Sequence, residues 1–234
     1  MGVLYNSRIV TDGLVLCLDA GDKMSYPGSG STWNDLSKNK NNGTLTNMTS
    51  ANVINTNGGV FLFDAANDYI DTSQEIQFDR TDPFTLCAWL NNQDTGYANI
   101  INNENTSYRG YQFSFFDQKL QIYLRANTSN YIAVKCSNNF TLNTWKHCIV
   151  TYDGSSDVSG MKLYIDGVLQ SMTTISNTLT YSTDSGETTL IGTRRPASVT
   201  YFDGYISNIQ IYNRELSANE VQQNYKATKG RFGL

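Results

Sequence analysis

Residues 201–225, Tyr-Phe-Asp-Gly-Tyr-Ile-Ser-Asn-Ile-Gln-Ile-Tyr-Asn-Arg-Glu-Leu-Ser-Ala-Asn-Glu-Val-Gln-Gln-Asn-Tyr, constrain the fold more than any other stretch. Asp203-Gly204 reads as a turn, because Gly takes positive φ freely and Asp can bond its own backbone. Ile209 and Ile211 then alternate with Asn208 and Gln210, the period of a strand with one buried face. Ile206 stands three residues before Ile209 and breaks that period; a β-bulge between them returns it to the core face. Ser217 and Glu220 have capping-box spacing, and Leu216 with Val221 that of a hydrophobic staple. Tyr225 continues the apolar stripe one turn later. A helix this short is marginal in water, so it must dock on a sheet.

The rest of the chain is written mainly in strands. Leu14-Val15-Leu16-Cys17-Leu18 is apolar throughout, as in a strand covered on both faces. Phe84, Leu86, Ala88 and Leu90 share one face of a second run, and Tyr111, Phe113 and Phe115 one face of a third. Leu120, Ile122 and Leu124 oppose Gln121, Tyr123 and Arg125, and Met161, Leu163 and Ile165 alternate with Lys162 and Tyr164. Asp166-Gly167 is a strong hairpin signal. No repeat or linker divides the 234 residues. Short strands about ten residues apart predict one all-β sandwich over 1–234, with its core at about 10–227 and short tails. A chain of this size buries roughly 70% of its extended surface, enough for a core without staples.

Composition removes several function classes. The net charge of −4 comes without a Lys/Arg block, which argues against nucleic acid as a partner. No apolar run approaches the roughly 18 residues of a membrane span. The N-terminus lacks a signal-peptide pattern, and Gly2 with Ser7 misses the myristoylation spacing. Cys17, Cys87, Cys136 and Cys148 have no metal-ligand spacing and read as reduced thiols.

Several motifs resemble those of laminin-G-like modules in the concanavalin A-like lectin and glucanase superfamily. They are Ser25-Tyr26-Pro27-Gly28, Trp33 to Ser37, Asn42-Gly43-Thr44-Leu45, Trp145 to Gly154 and Arg214-Glu215-Leu216-Ser217. The resemblance implies a jelly-roll sandwich of two antiparallel sheets with one short C-terminal helix. In the loop 19–43, Trp33, Asp35, Leu36 and Ser37 look like an anchor; Lys38 and Lys40 stand where relatives commonly have Gly, and Asn39 between them can adopt a left-handed conformation. Val60 to Ile70 resembles the family's hairpin, with Ala65 in place of Gly suggesting a turn without positive φ.

Enzymatic chemistry is hard to place. The Glu-x-Asp-x-x-Glu strand of related glucanases is absent, and glycoside hydrolysis needs two carboxyls roughly 5–9.5 Å apart. His147 is the only histidine and reads as a strand residue hydrogen-bonding across the sheet. The expectation is therefore a non-enzymatic chain. Calcium is the one cofactor the resemblance admits, with Asp64, Asn67 and Asp68 as candidate ligands and Asn102, Asn103 and Glu104 as a second oxygen cluster. Tyr and Arg are typical anchors of binding surfaces. Two such groups stand out: Tyr97, Tyr108, Arg109 and Tyr111 with Asn102 and Asn103, and Arg194, Arg195 and Tyr201.

With Ser7-Arg8-Ile9-Val10 near its start and Ala227-Thr228-Lys229-Gly230-Arg231-Phe232-Gly233-Leu234 at its close, the chain also resembles small laminin-G-like virion proteins of tailed bacteriophages. That implies a virion-surface protein on capsid or tail, a homo-oligomer partnered by other virion subunits and engaging host surface glycans, without insertion into a membrane. The alternatives are a purely structural decoration protein, or a free cellular lectin or weak glycoside hydrolase.

Overall fold

Two antiparallel sheets stack face to face in the computed structural model, which describes residues 8–195 and 200–234. Gly2 and Ser7, which enter the readings above, lie outside the described residues. In chain order the first strands are β1 (Leu14–Asp19), β2 (Thr32–Trp33), β3 (Gly43–Thr46), β4 (Val53–Ile54), β5 (Val60–Asp64), β6 (Tyr69–Asp71), β7 (Phe84–Asn92) and β8 (Tyr97–Asn102). There follow β9 (Gly110–Phe116), β10 (Lys119–Arg125), β11 (Tyr131–Cys136), β12 (Lys146–Tyr152), β13 (Met161–Ile165), β14 (Val168–Leu169), β15 (Met172–Asn177), β16 (Leu190–Ile191) and β17 (Asp203–Tyr212), then helix α1 (Ala218–Thr228). The eight-stranded sheet runs β14-β13-β12-β7-β17-β5-β4, with β1 also pairing β17; the nine-stranded sheet runs β15-β11-β10-β9-β8-β16-β6-β3-β2.

The alternation read from the sequence fills the space between the sheets. Phe84, Leu86, Ala88 and Leu90 meet Tyr111, Phe113, Phe115, Leu120, Ile122 and Leu124 in one core. The register of β17 against β7 shifts between Ile206 and Asn208, the expected bulge, and Ile206, Ile209 and Ile211 are all buried in that core. A second, smaller cluster lies on the outer face of the eight-stranded sheet. There Leu216 and Val221 cover Cys87, Ile149, Tyr164 and Tyr212. Sheet and helix thus bury apolar area on both faces of β7, each side chain contributing roughly 1.5–3 kcal/mol.

The helix starts as its sequence demands. Ser217 Oγ accepts from Glu220 N at 3.4 Å, and Glu220 Oε2 accepts from Ser217 N at 2.9 Å. Arg214 grips both Glu220 oxygens, at 2.6 and 3.1 Å, which together with the cap holds the Glu220 carboxyl down at about 2. Ser217→Ala is expected to remove about 1 kcal/mol, read as a lower urea midpoint at unchanged m-value; an unshifted midpoint would show that Arg214 alone positions Glu220. Past the helix, Phe232 packs 4.1 Å from Trp89, centroid to centroid, and Arg231 pairs with Asp19 at 2.7 Å, so the C-terminal residues are docked on the body.

Several local expectations change in three dimensions. Asp203-Gly204 opens β17 instead of forming a turn; Gly204 takes a positive φ of 127°, which side-chain-bearing residues rarely adopt, and its missing Cβ lets the chain run against Asn91. Val60 to Ile70 is no hairpin: β5 belongs to one sheet and β6 to the other, so the segment is a corner where the chain changes layers. Ala65 does take a positive φ, 61°, a strain offset by its N–H donating to Phe202 O at 3.1 Å and by the Asp64 side chain accepting from Ala66 N. In the long loop the left-handed residue is Lys40, φ 58°, rather than Asn39. Trp33, Asp35 and Ser37 are buried and do anchor it, with Asp35 accepting from Cys17 N, Ser37 N and Asn41 N; Leu36 points out to solvent. Both His147 ring nitrogens are buried without a partner among the described residues, so the ring does not bond across the sheet. It stacks on Trp89 at 4.9 Å.

Candidate functional site

Strands β8 to β11 send one set of side chains into the core and the other to the outer face of the nine-stranded sheet. Register sets the outer rows: Asn102, Gln112 and Tyr123 line up across β8, β9 and β10, and Arg125 faces Tyr131 across β10 and β11. The floor of this face is polar yet buried, and its members satisfy one another as buried polar groups must. Gln112 Nε2 donates to Asn99 Oδ1 at 2.6 Å and to the Tyr97 hydroxyl, Gln121 Nε2 to Ser114 Oγ at 3.1 Å, and Asn102 Nδ2 to Glu104 Oε2 at 3.3 Å.

Arginines and tyrosines stand on that floor. Arg125 Nη1 donates to Glu104 Oε1 at 2.6 Å and to Gln112 Oε1 at 3.2 Å. Its guanidinium lies 3.8 Å above the Tyr123 ring, with Tyr131 at 5.5 Å and Tyr108 at 5.9 Å. Arg194, entering from the loop after β16, lies 5.3 Å from the Tyr97 ring and 5.4 Å from Tyr108. Tyr108 is therefore shared by both cations. A tight turn presents it: Asn105 Oδ1 accepts from Ser107 N and Arg109 N, and Tyr108 sits left-handed at φ 62°. Tyr108, Arg125, Thr128, Tyr131 and Arg194 enclose a cleft of about 150 Å³.

Charge in the cleft is uneven. The Glu104 side chain is fully buried, and its carboxyl is pushed above the usual range because loss of water outweighs the pull of Arg125 and Arg194. Burial likewise raises the Tyr97 and Tyr123 hydroxyls, which stay neutral hydrogen-bonding groups. Two guanidiniums thus face one carboxylate. A larger hollow, about 630 Å³, lies between residues 11–15 and 36–39, but neither an aromatic ring nor a guanidinium lines it.

Of the residues singled out from sequence, Tyr97, Tyr108 and Arg194 come together here, and Asn102 supports Glu104 from below. Asn103 is structural: its Oδ1 accepts from Tyr111 N at 2.8 Å and its Nδ2 donates to Ile76 O at 3.3 Å. Arg109 is exposed and donates through Nε to Ala126 O, outside the cleft wall. Arg195 is engaged with Thr188 O at 2.7 Å and Glu187 at 3.3 Å. Tyr201 is half-buried and does not line the cleft. Arg125, Tyr123 and Tyr131 were not singled out. The signal for them was the alternation of β10, which places Tyr123 and Arg125 on one outward face.

The carboxylates of the candidate calcium site are engaged by protein donors. Asp64 Oδ1 accepts from Ala66 N and Asn67 N, and Asp68 Oδ2 accepts from Asn52 Nδ2 at 2.7 Å. Among the described residues no group of three or more His, Cys, Asp or Glu side chains is placed to hold a metal, and burial together with Asp64 pushes the Asp68 carboxyl up.

Comparison with known proteins agrees with the architecture. A laminin G family model described as the concanavalin A-like lectin/glucanases superfamily matches residues 64–222. Botulinum neurotoxin type X of Clostridium botulinum is 25% identical over 163 residues, which are 67% of this chain and 12% of the toxin. The receptor binding domain of botulinum neurotoxin C/D mosaic serotype superposes with a TM-score of 0.67 at 16% identity, over 93% of this chain and 52% of that one. A Trypanosoma rangeli sialidase in complex with the inhibitor DANA gives 0.62 at 17% identity, over 93% of this chain and 33% of the enzyme. The chain thus spans about half the length of that toxin domain. These relatives are clostridial toxin domains and a sialidase, rather than the expected phage virion proteins.

Proposed function

We propose, from the premise that this chain belongs to the concanavalin A-like lectin/glucanases superfamily, that it is a non-enzymatic carbohydrate-recognition module. The observation that carries the reading is the cleft in which Tyr108 and Tyr131 present ring faces beside the guanidiniums of Arg125 and Arg194. Sugars offer apolar C–H faces that pack on aromatic rings and hydroxyls that accept from planar N–H donors. Ligand sites join such surfaces with a few fixed polar groups. The preorganised floor supports the reading further, because the Arg125 fork is already oriented by Glu104 and Gln112 before any ligand arrives.

Catalysis is disfavoured by the same geometry. Hydrolysis of a glycosidic bond uses two carboxyls, whereas no carboxylate lines the cleft among the described residues, and Glu104, buried behind it, is engaged by Arg125. Solved relatives named as receptor binding domains have this fold, which supports recognition as the role. Display on a phage capsid or tail, with other virion subunits as partners, is a setting in which the same module would serve, and co-purification with particles tests it.

Tyr108→Ala is expected to weaken glycan binding about tenfold, since aromatic anchors at the centre of a site contribute on the order of 2 kcal/mol. A glycan array followed by titration of the best ligand checks this. An array on which the wild-type protein binds nothing would remove the proposal.

A further inference from the structure

We infer that the cleft selects a sugar bearing a carboxylate, held between the guanidiniums of Arg125 and Arg194; the inference rests on the glycan reading above and names the class of sugar. Charge makes the first argument. The chain as a whole carries −4, yet two guanidiniums line this cleft and, among the described residues, the one carboxylate paired with either is Glu104, buried behind Arg125. Arginine does not deprotonate in proteins, so one positive charge stays uncompensated among the described residues. A neutral sugar would leave it so.

The second argument is hydrogen-bonding capacity. Arg194 Nε is wholly buried and has no acceptor among the described residues, an arrangement that buried donors rarely show. Both hydrogen bonds that Arg125 makes to Glu104 and Gln112 run through Nη1, so Glu104 orients the fork from behind without engaging all of it. Two partly unengaged forks beside one small cleft suit an acceptor with several lone pairs in one plane. Arg–carboxylate pairing is often bidentate for that reason.

The third argument is position. The Tyr108 ring lies within 6 Å of both guanidiniums, at 5.9 Å from Arg125 and 5.4 Å from Arg194. Its left-handed backbone is a strain that persists because the Asn105 turn imposes it. The turn therefore places one flat apolar surface where both cations converge, and Thr128 supplies a hydroxyl at the same wall. The volume, about 150 Å³, is below the roughly 300 Å³ at which pockets for drug-sized ligands begin. It suits one acidic sugar unit at a chain end or branch.

The test is titration of the full chain with matched glycan pairs: sialylated against desialylated oligosaccharides, uronic-acid against neutral oligosaccharides, and sulfated against unsulfated ones. The expected result is that in at least one carboxylated pair the acidic member binds tenfold or more tightly than its neutral partner. That preference should fall as salt is raised, as screening requires. Arg194→Gln should bring the two members of the pair within threefold of each other. Glu104→Gln, which keeps an acceptor for Arg125 while removing a negative charge, should tighten the acidic member two- to fivefold. Equal binding of acidic and neutral partners overturns the inference and leaves glycan recognition standing, as does an Arg194→Gln variant that weakens both alike. Preference for sulfated over carboxylated members overturns the choice of carboxylate. Binding to no glycan at all removes the parent reading together with this one.

Discussion

Arg125→Ala is expected to lower folding stability by about 3–5 kcal/mol at pH 7.5, the range seen when one member of a buried ion pair is removed, and to abolish glycan binding. The Arg125 side chain is 13% exposed and that of Glu104 0%, so the carboxylate left behind has little water to replace its partner. The loss has a predictable pH dependence. Burial already holds the Glu104 carboxyl above its ordinary 4.5, and without Arg125 it must rise further. A carboxyl raised in the folded state contributes stability that is fully present below its unfolded value and is lost as pH rises through the folded one. The deficit of the variant should therefore be smallest below pH 4.5 and widen as pH increases. Urea titrations at intervals from pH 4 to 8 measure it. A deficit under 1 kcal/mol that does not change with pH would mean that the pair is solvated and does not organise the cleft. Replacing both partners by Met, in contrast, should restore most of the stability while leaving the site inactive.

What could be read in advance divides along a physical line. The capping box of Ser217 and Glu220, the bulge before Ile209 and the inward faces of β9 and β10 follow from neighbours within a few residues, and spacing alone reveals them. The corner between β5 and β6 does not. Val60–Asp64 and Tyr69–Asp71 look like paired strands joined by a turn, but β17 and β3 compete for their edges and win. Ala65 accepts a positive φ because Phe202, more than a hundred residues away in sequence, takes its N–H. The candidate site shows the same split. Tyr97 and Tyr108 stand near each other in sequence, but so do Arg109 beside Tyr108 and Arg195 beside Arg194, neither of which lines the cleft. Arg125 and Tyr131 become neighbours of Arg194 only through strand register, which a single sequence leaves open.

His147→Phe is expected to stabilise the protein by about 1–3 kcal/mol at neutral pH, the desolvation cost of a buried polar group that lacks a partner. His147 is 1% exposed, its two ring nitrogens bond to nothing among the described residues, and its ring packs against Trp89 at 4.9 Å and Tyr225 at 6.2 Å. Phe keeps the flat ring that this stack requires and brings no polar atom. The acid limb carries the sharper consequence. Burial lowers the imidazole from 6.5 to about 3, so between those values the unfolded chain takes up a proton that the folded one refuses. Stability from this source is whole above pH 6.5 and declines as pH falls toward 3, at about 1.4 kcal/mol per pH unit. His147→Phe should remove that decline. The difference between its urea-derived stability and that of the wild type should widen steadily from pH 6.5 to 4. Parallel acid limbs in the two proteins would show that the folded chain protonates His147 readily, and hence that the stack formed by Trp89, Tyr225 and the docked C-terminal Phe232 opens to water.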